Sequence, residues 1–239
     1  MILAVLTLLA TLTSSDAVAV LLNSRNAVSA KTYAEAQGIV LKEAQAGRPL
    51  QQFVIGVTAD DEKLAKTYLD ASRHRIKALA IEKNNPLAWY LLSMEKNDMR
   101  CLRKAAEGGN VQALNALGTI ELQAALARKD LPSNEVARVL ARSYDCFHQA
   151  AFKRDPNGLV NLGSCYLCGY GCRQDAGLAF RFFKAAAEAG HPEGMENVAS
   201  CYELGRGVNR DNEQYLLWTM RARAARGDAA AEKWLRERK

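Results

Sequence analysis

Proline and glycine are scarce in this 239-residue chain, with 5 and 16 copies. That scarcity excludes collagen-like and proline-rich disordered chains. Several chemical signatures are missing too. No H-E-x-x-H occurs, no glycine-rich loop leads into G-K-[ST], and neither S-D-N nor K-T-G is present. The three histidines, His74, His148 and His191, form no pair at metal-ligand spacing. Nothing assembles a nucleophile, a base and an oxyanion hole. Neither catalysis nor a cofactor is expected.

What is abundant is alanine, with 40 copies, about one residue in six. Alanine has the best helix propensity and proline and glycine the worst, so an all-α chain is expected. The length suffices for a proper core, and 49% apolar with 24% charged residues is ordinary for a globular chain. The net charge of +6 is unevenly spread. The last 21 residues carry +4, from Arg221, Arg223, Arg226, Lys233, Arg236, Arg238 and Lys239 against Asp228, Glu232 and Glu237. Cations at a helix C-terminus complement its dipole. A nucleic-acid binder would add aromatic or helix-in-groove patterning, so no nucleic-acid partner is expected.

Residues 2–12 form an apolar run, followed by Ser14, Ser15 and Asp16 and then Ala17-Val18-Ala19. This order fits a secretory signal peptide with an A-x-A cleavage site. No Lys or Arg precedes Arg25, which departs from the basic start of such leaders. The alternatives are a membrane anchor over residues 1–22 and an ordinary buried first helix. A cleaved leader over 1–19 places the protein outside the cytoplasm, periplasmic or secreted. A membrane contact is expected only if residues 1–22 remain as an anchor.

Proline positions reveal a period. Asp155-Pro156 recurs as His191-Pro192, 36 residues on, and Arg48-Pro49 and Asn85-Pro86 are 37 apart. Proline is favoured at the first helical position, and Asn85 and Asp155 sit where a capping side chain belongs. Asn110 and Asp228 cap two further starts that lack proline. Helix starts are therefore expected near 49, 86, 111, 156, 192 and 228. Within the last two copies, Asn161-Leu162-Gly163-Ser164-Cys165-Tyr166 aligns with Asn197-Val198-Ala199-Ser200-Cys201-Tyr202. Gly169-Tyr170-Gly171 aligns with Gly205-Arg206-Gly207, Asp175 with Asp211, and Phe182 with Trp218. The pattern predicts helix A, a reversing glycine turn, and an Asp-capped helix B. One such hairpin cannot bury its apolar face alone, so hairpins must stack.

These residues resemble the Sel-one-like repeat (SLR) family, a branch of the tetratricopeptide-like solenoids. Gly207-Val208, Asp211, Trp218 and Gly227 carry the likeness, with Leu162-Gly163, Tyr166, Gly169, Gly171, Asp175, Ala179, Ala185-Ala186 and Gly190. The resemblance implies an all-α solenoid of stacked helix–loop–helix repeats wound as a right-handed superhelix. A further copy spans Lys104 to Ala151, with a longer loop, 127–133, in place of the glycine turn. A shortened unit pairs a helix from Pro86 to Met94 with another beyond a tight turn at 96–98. Further helices are expected near 31–45, 49–57 and 61–82. The organisation expected is an apolar segment over 1–19, degenerate helical repeats over 20–100, and SLR repeats with a C-terminal capping helix over 101–239.

Six cysteines raise three readings. Cys165, Cys168 and Cys172 form the tight group. Core filling, a disulfide within 165–172 or to Cys146, and a metal site completed by His148 or Cys146 are all open. Cys165 and Cys201 occupy a position that the repeat fills with a core residue, and Cys172 aligns with Val208. Some SLR proteins are secreted and cysteine-rich, with β-lactamase or penicillin-binding activity, and pair a Cys ending helix B with one in the next helix A. The helix B ends here hold no Cys, so that ladder is missing. Ser93-Met94-Glu95-Lys96 spells S-x-x-K, a β-lactamase signature that chance alone supplies about half the time at this length.

The resemblance implies a protein–protein interaction scaffold that holds a peptide or partner protein on its concave helix-A surface. Asn161 and Asn197 stand one repeat apart and offer a ladder of carboxamides, each a donor and an acceptor. The same side chains could instead bridge neighbouring helices. The alternative function is a secreted SLR hydrolase acting on penicillin-like or cell-wall substrates.

Overall fold

The computed structural model describes residues 17–18, 21–22, 30–128 and 132–238. Most of the expected leader or anchor lies outside the described residues, as do Lys129, Asp130 and Leu131 of the long loop. Among the described residues there are twelve α-helices with defined ends and no strand. Contacts group the chain into two units, Met1–Asn110 and Val111–Lys239.

In the first unit, α1 (Ala30–Gln45), α2 (Pro49–Thr58) and α3 (Glu62–Lys83) pack in succession, and α4 (Pro86–Lys96) pairs with α5 (Met99–Glu107). The sequence signals act as expected. Asp61 accepts the Leu64 N–H at 2.6 Å to start α3, and Asn85 accepts that of Ala88 at 3.0 Å to start α4. Asn84 and Asn97 end α3 and α4 in the left-handed region, which asparagine tolerates better than most residues. The turn over 96–98 is therefore short enough to fold α5 straight back on α4. Phe53, Ile55, Ile76, Val40 and Leu91 form the core. Ala17, Val18 and Leu21 belong to the same core, with Ala17 wholly buried.

The second unit repeats one hairpin three times. α6 (Val111–Ala127) pairs with α7 (Ser133–Phe152), α8 (Pro156–Cys168) with α9 (Ala176–Glu188), and α10 (Pro192–Leu204) with α11 (Asn212–Ala225). α12 (Ala229–Glu237) packs on α11 as a closing helix A. Asp155, Asp175, Asp211 and Asp228 each cap a helix N-terminus through the side chain. Within hairpins, a small residue on helix A receives an aromatic ring from helix B. A Cβ on Gly118 would meet Phe147 at 2.7 Å, and one on Gly163 would meet Phe183 at 2.6 Å. The long-loop hairpin α6–α7 thus uses the same contact as α8–α9. Successive hairpins are joined by α7 against α8 and α9 against α10. The architecture is an all-α solenoid of stacked helix–loop–helix repeats, with each repeat contacting chiefly its neighbours.

The turn glycines do more than reverse the chain. Gly171 and Gly207 lie at φ +71° and +73°. A Cβ there would fall 2.4 Å from the Leu140 carbonyl oxygen and 2.0 Å from that of Ala176. Each glycine seats the A–B turn against helix B of the preceding repeat, where backbone blocks any side chain.

Candidate functional site: the helix A row of the second unit

The three A helices of the second unit form a row, with α8 touching both α6 and α10. Helical spacing puts residues i, i+4, i+7 and i+11 on one face. On α8 those residues are Asn157, Asn161, Ser164 and Cys168, all half-buried or exposed. On α10 the stripe is Glu193, Asn197, Ser200 and Leu204, with Glu196 and Glu203 beside it. On α6 it runs through Gln112, Asn115, Thr119 and Gln123. The intervening residues, such as Leu162, Cys165, Val198 and Cys201, are buried. One polar face on each helix therefore remains accessible, and it is rich in carboxamides.

Side-chain hydrogen bonds tie these stripes together. The Asn161 amide donates to the Asn115 carbonyl oxygen at 3.5 Å, and the Asn115 amide donates to Asp155 at 2.7 Å. The same Asp155 oxygen accepts the Gly158 N–H at 2.8 Å, so the α8 cap is anchored to α6. At the next step, the imidazole Nε2 of His191 lies 3.2 Å from the Asn157 carbonyl oxygen. Nδ1 of His191 accepts the Gly194 N–H at 3.4 Å to cap α10. An accepting Nδ1 leaves the proton on Nε2, which then donates to Asn157. The imidazole is buried, and burial pushes its pKa down. Asn197 sits at the position equivalent to Asn161 but makes no hydrogen bond to the described residues. Asn161 thus bridges neighbouring helices, and the Asn197 carboxamide does not do so among the described residues.

The cysteines are placed by the repeat. Cys146, Cys165 and Cys201 are buried, Cys172 is half-buried and Cys168 is exposed. All six are free thiols. Burial pushes the Cys165 thiol up to about 12 and that of Cys146 to about 11, so both stay protonated at neutral pH. Among the described residues, no group of three His, Cys, Asp or Glu is placed to hold a metal ion. In the S-x-x-K segment, Ser93 is buried and its hydroxyl donates to the Tyr90 carbonyl oxygen at 2.6 Å, while Lys96 is exposed. The two side chains form no nucleophile–base pair. The C-terminal cations are mostly engaged: Arg223 pairs with Asp228 at 2.6 Å, Arg226 with Glu196, and Lys233 with Glu237 at 3.7 Å. Arg221 and Arg238 lie over the rings of Trp218 and Trp234.

Two features escaped the sequence reading. Ala116 stands in α6 where Asn161 stands in α8, and its neighbour Asn115 makes the bridge. The hydroxyls of Tyr144 on α7 and Tyr166 on α8 share a hydrogen bond of 2.9 Å. Phe180 and Tyr202 meet edge-on at the equivalent place one repeat later. The aligned Tyr166 and Tyr202 were visible in the sequence, but their partners on the preceding helix B were not.

Comparison with known proteins agrees with this geometry. Residues 99–110, 156–191 and 192–214 match the Sel1 repeat model. A protective antigen of uropathogenic Escherichia coli with an SLR fold superposes at a TM-score of 0.56 and 22% identity, over 86% of this chain. This chain spans 44% of that protein's length. A Sel1 repeat protein from Oxalobacter formigenes aligns at a TM-score of 0.45 and 24% identity, covering 53% of this chain and 90% of its own. No curated protein sequence matches the chain. Sel1 repeat proteins are generally protein-interaction scaffolds.

Proposed function

We propose that this chain, a Sel1 repeat protein, is a non-catalytic scaffold that holds a peptide or partner protein on the row formed by α6, α8 and α10. The observation that carries the reading is Asn197, a half-buried carboxamide with no hydrogen-bond partner among the described residues, one repeat from Asn161 on a shared accessible face. A carboxamide can accept from a peptide N–H and donate to a peptide carbonyl. Neighbouring helix axes lie about 8–10 Å apart. That is roughly three residues of extended chain at about 3.3 Å each. An extended segment crossing the row would thus present a peptide N–H to the Asn161 carbonyl oxygen, whose amide is given to Asn115, and a whole peptide group to Asn197 in turn. No observation favours the hydrolase alternative, since Ser93 is buried and spends its hydroxyl on Tyr90.

The apolar run over 2–12 and the A-x-A pattern at 17–19 support export of this scaffold. Among the described residues, no helix is long and apolar enough to cross a membrane.

A photo-cross-linking amino acid at Ser200, on the accessible face of α10, tests the reading in the native host. The same group at Arg181, exposed on α9, is the control. Discrete adducts from position 200 and none from 181 are expected. Equal labelling from both positions would overturn the assignment of the helix-A row.

A further inference from the structure

The charge of the row narrows the partner. Residues 111–127, 156–168 and 192–204, which make up α6, α8 and α10, contain no Lys or Arg, in a chain that has 32. α8 carries no charged residue at all. α6 carries Glu121, which is paired with Arg142 at 2.8 Å. α10 carries Glu193, Glu196 and Glu203. Glu196 pairs with Arg226, but Glu193 and Glu203 are exposed and make no ion pair among the described residues. The B helices are different: Arg138 and Arg142 on α7 and Arg181 and Lys184 on α9 are all exposed. A net-positive chain thus keeps one accessible face free of cations and grades it from neutral amides on α6 and α8 to unpaired carboxylates on α10.

Such a face selects by charge as well as by hydrogen bonding. Carboxylates repel an acidic ligand and attract a cationic one, and exposed charges act mainly on encounter and orientation. Resting on the scaffold reading above, we infer that the partner segment is an extended peptide bearing Lys or Arg at the end that lies over α10. Its neutral portion crosses α6 and α8, where amides and hydroxyls meet its backbone. The gradient fixes its direction, because reversal would leave the cation over α6, whose one carboxylate is already paired with Arg142. The competing occupants are an uncharged peptide and the basic C-terminal segment of a second copy.

The probe is a displayed library of random 12-residue peptides, selected on the full chain at low salt. Lys or Arg enriched at one end of the selected peptides is expected. A representative synthetic peptide should then bind the Glu193→Gln/Glu203→Gln variant about tenfold more weakly, as two exposed pairs at up to about 1 kcal/mol each allow. Its affinity should also fall with added salt. Both glutamates are exposed, so the variant should fold normally, and an unchanged denaturation midpoint verifies this. Enriched peptides without basic residues, whose binding still depends on Asn197, would overturn the cationic inference and leave the scaffold reading standing. No enrichment would overturn both. Concentration-dependent self-association abolished by the glutamate substitutions would replace the foreign peptide with a second copy.

Discussion

The Asn115 amide donates to the Asp155 carboxylate across 2.7 Å, and the oxygen it meets also caps α8 by accepting the Gly158 N–H. One acidic side chain thereby ends the unsatisfied start of one helix and fastens it to its neighbour. Asn115→Ala should destabilise the second unit by about 1–2 kcal/mol, the range for a partly exposed hydrogen bond to a charged group. Asp155→Ala should cost more, since the cap is lost with the bridge. Denaturant midpoints of the two variants measure this, and equal costs would mean that the cap contributes nothing beyond the bridge.

Gly205 and Gly207 separate two kinds of glycine requirement. Both lie in the left-handed region, at φ +70° and +73°. At Gly205 the tightest contact of a Cβ is the flexible Arg210 side chain, at 3.1 Å, with backbone no nearer than 3.7 Å, whereas at Gly207 it meets the Ala176 backbone oxygen at 2.0 Å. Gly205→Ala should cost about 1–2 kcal/mol from backbone strain alone. Gly207→Ala should cost about 3 kcal/mol or more, because the previous repeat must move. Similar losses for both would show that the turn does not rest on α9.

Trp218 is almost fully buried on α11, while Trp234 on α12 is only half-buried. Trp218→Ala should cost about 3–5 kcal/mol. Trp234→Ala should cost clearly less. A larger loss at Trp234 would relocate the core of the last repeat.

Sequence periodicity made the helical frame legible. Proline placed the starts of α2, α4, α8 and α10 at Pro49, Pro86, Pro156 and Pro192, where they occur, and Asn85, Asp155 and His191 cap all but the first. The reason is local: a fixed φ and a side-chain cap act within one turn, so neighbours in sequence suffice. The site was only half legible. Asn161 and Asn197 were found by alignment, but which of them spends its amide inside the fold depends on Asn115, 46 residues from Asn161. Likewise, S-x-x-K put Ser93 one turn from Lys96, but helical spacing cannot say that α4 turns Ser93 inward and leaves Lys96 in water.

His191 makes stability depend on pH. Burial lowers its pKa below the ordinary 6.5, with Arg226 adding to the effect and Glu193 and Asp155 opposing it. The unfolded chain therefore takes up a proton at a higher pH than the folded one does. Stability is full above about pH 6.5 and falls as pH drops from there through the folded-state value. His191→Asn keeps a capping side chain and removes the titration. Between pH 7.5 and 5.5, the parent's midpoint should fall more than that of the variant. Parallel profiles would contradict the buried, neutral imidazole.

Ala17 and Val18 lie in the core of the first unit. A chain starting at Val20 should therefore have a lower denaturation midpoint than the full chain, with burial of the valine alone contributing about 1.5–3 kcal/mol. Equal midpoints would show that these residues add nothing to that core. Intact mass of the protein from its native host then decides whether the mature chain retains them.

The most direct test of the central claim uses Asn197, whose carboxamide makes no hydrogen bond among the described residues. Partner capture from a cross-linker at Ser200 should be compared in the parent chain and in Asn197→Ala, with the denaturation midpoint measured on both. The account predicts a stability changed by less than about 0.5 kcal/mol, as for a surface substitution, together with a severalfold loss of adduct. Undiminished capture at unchanged stability would contradict it, and the partner surface would have to be sought away from the helix-A row.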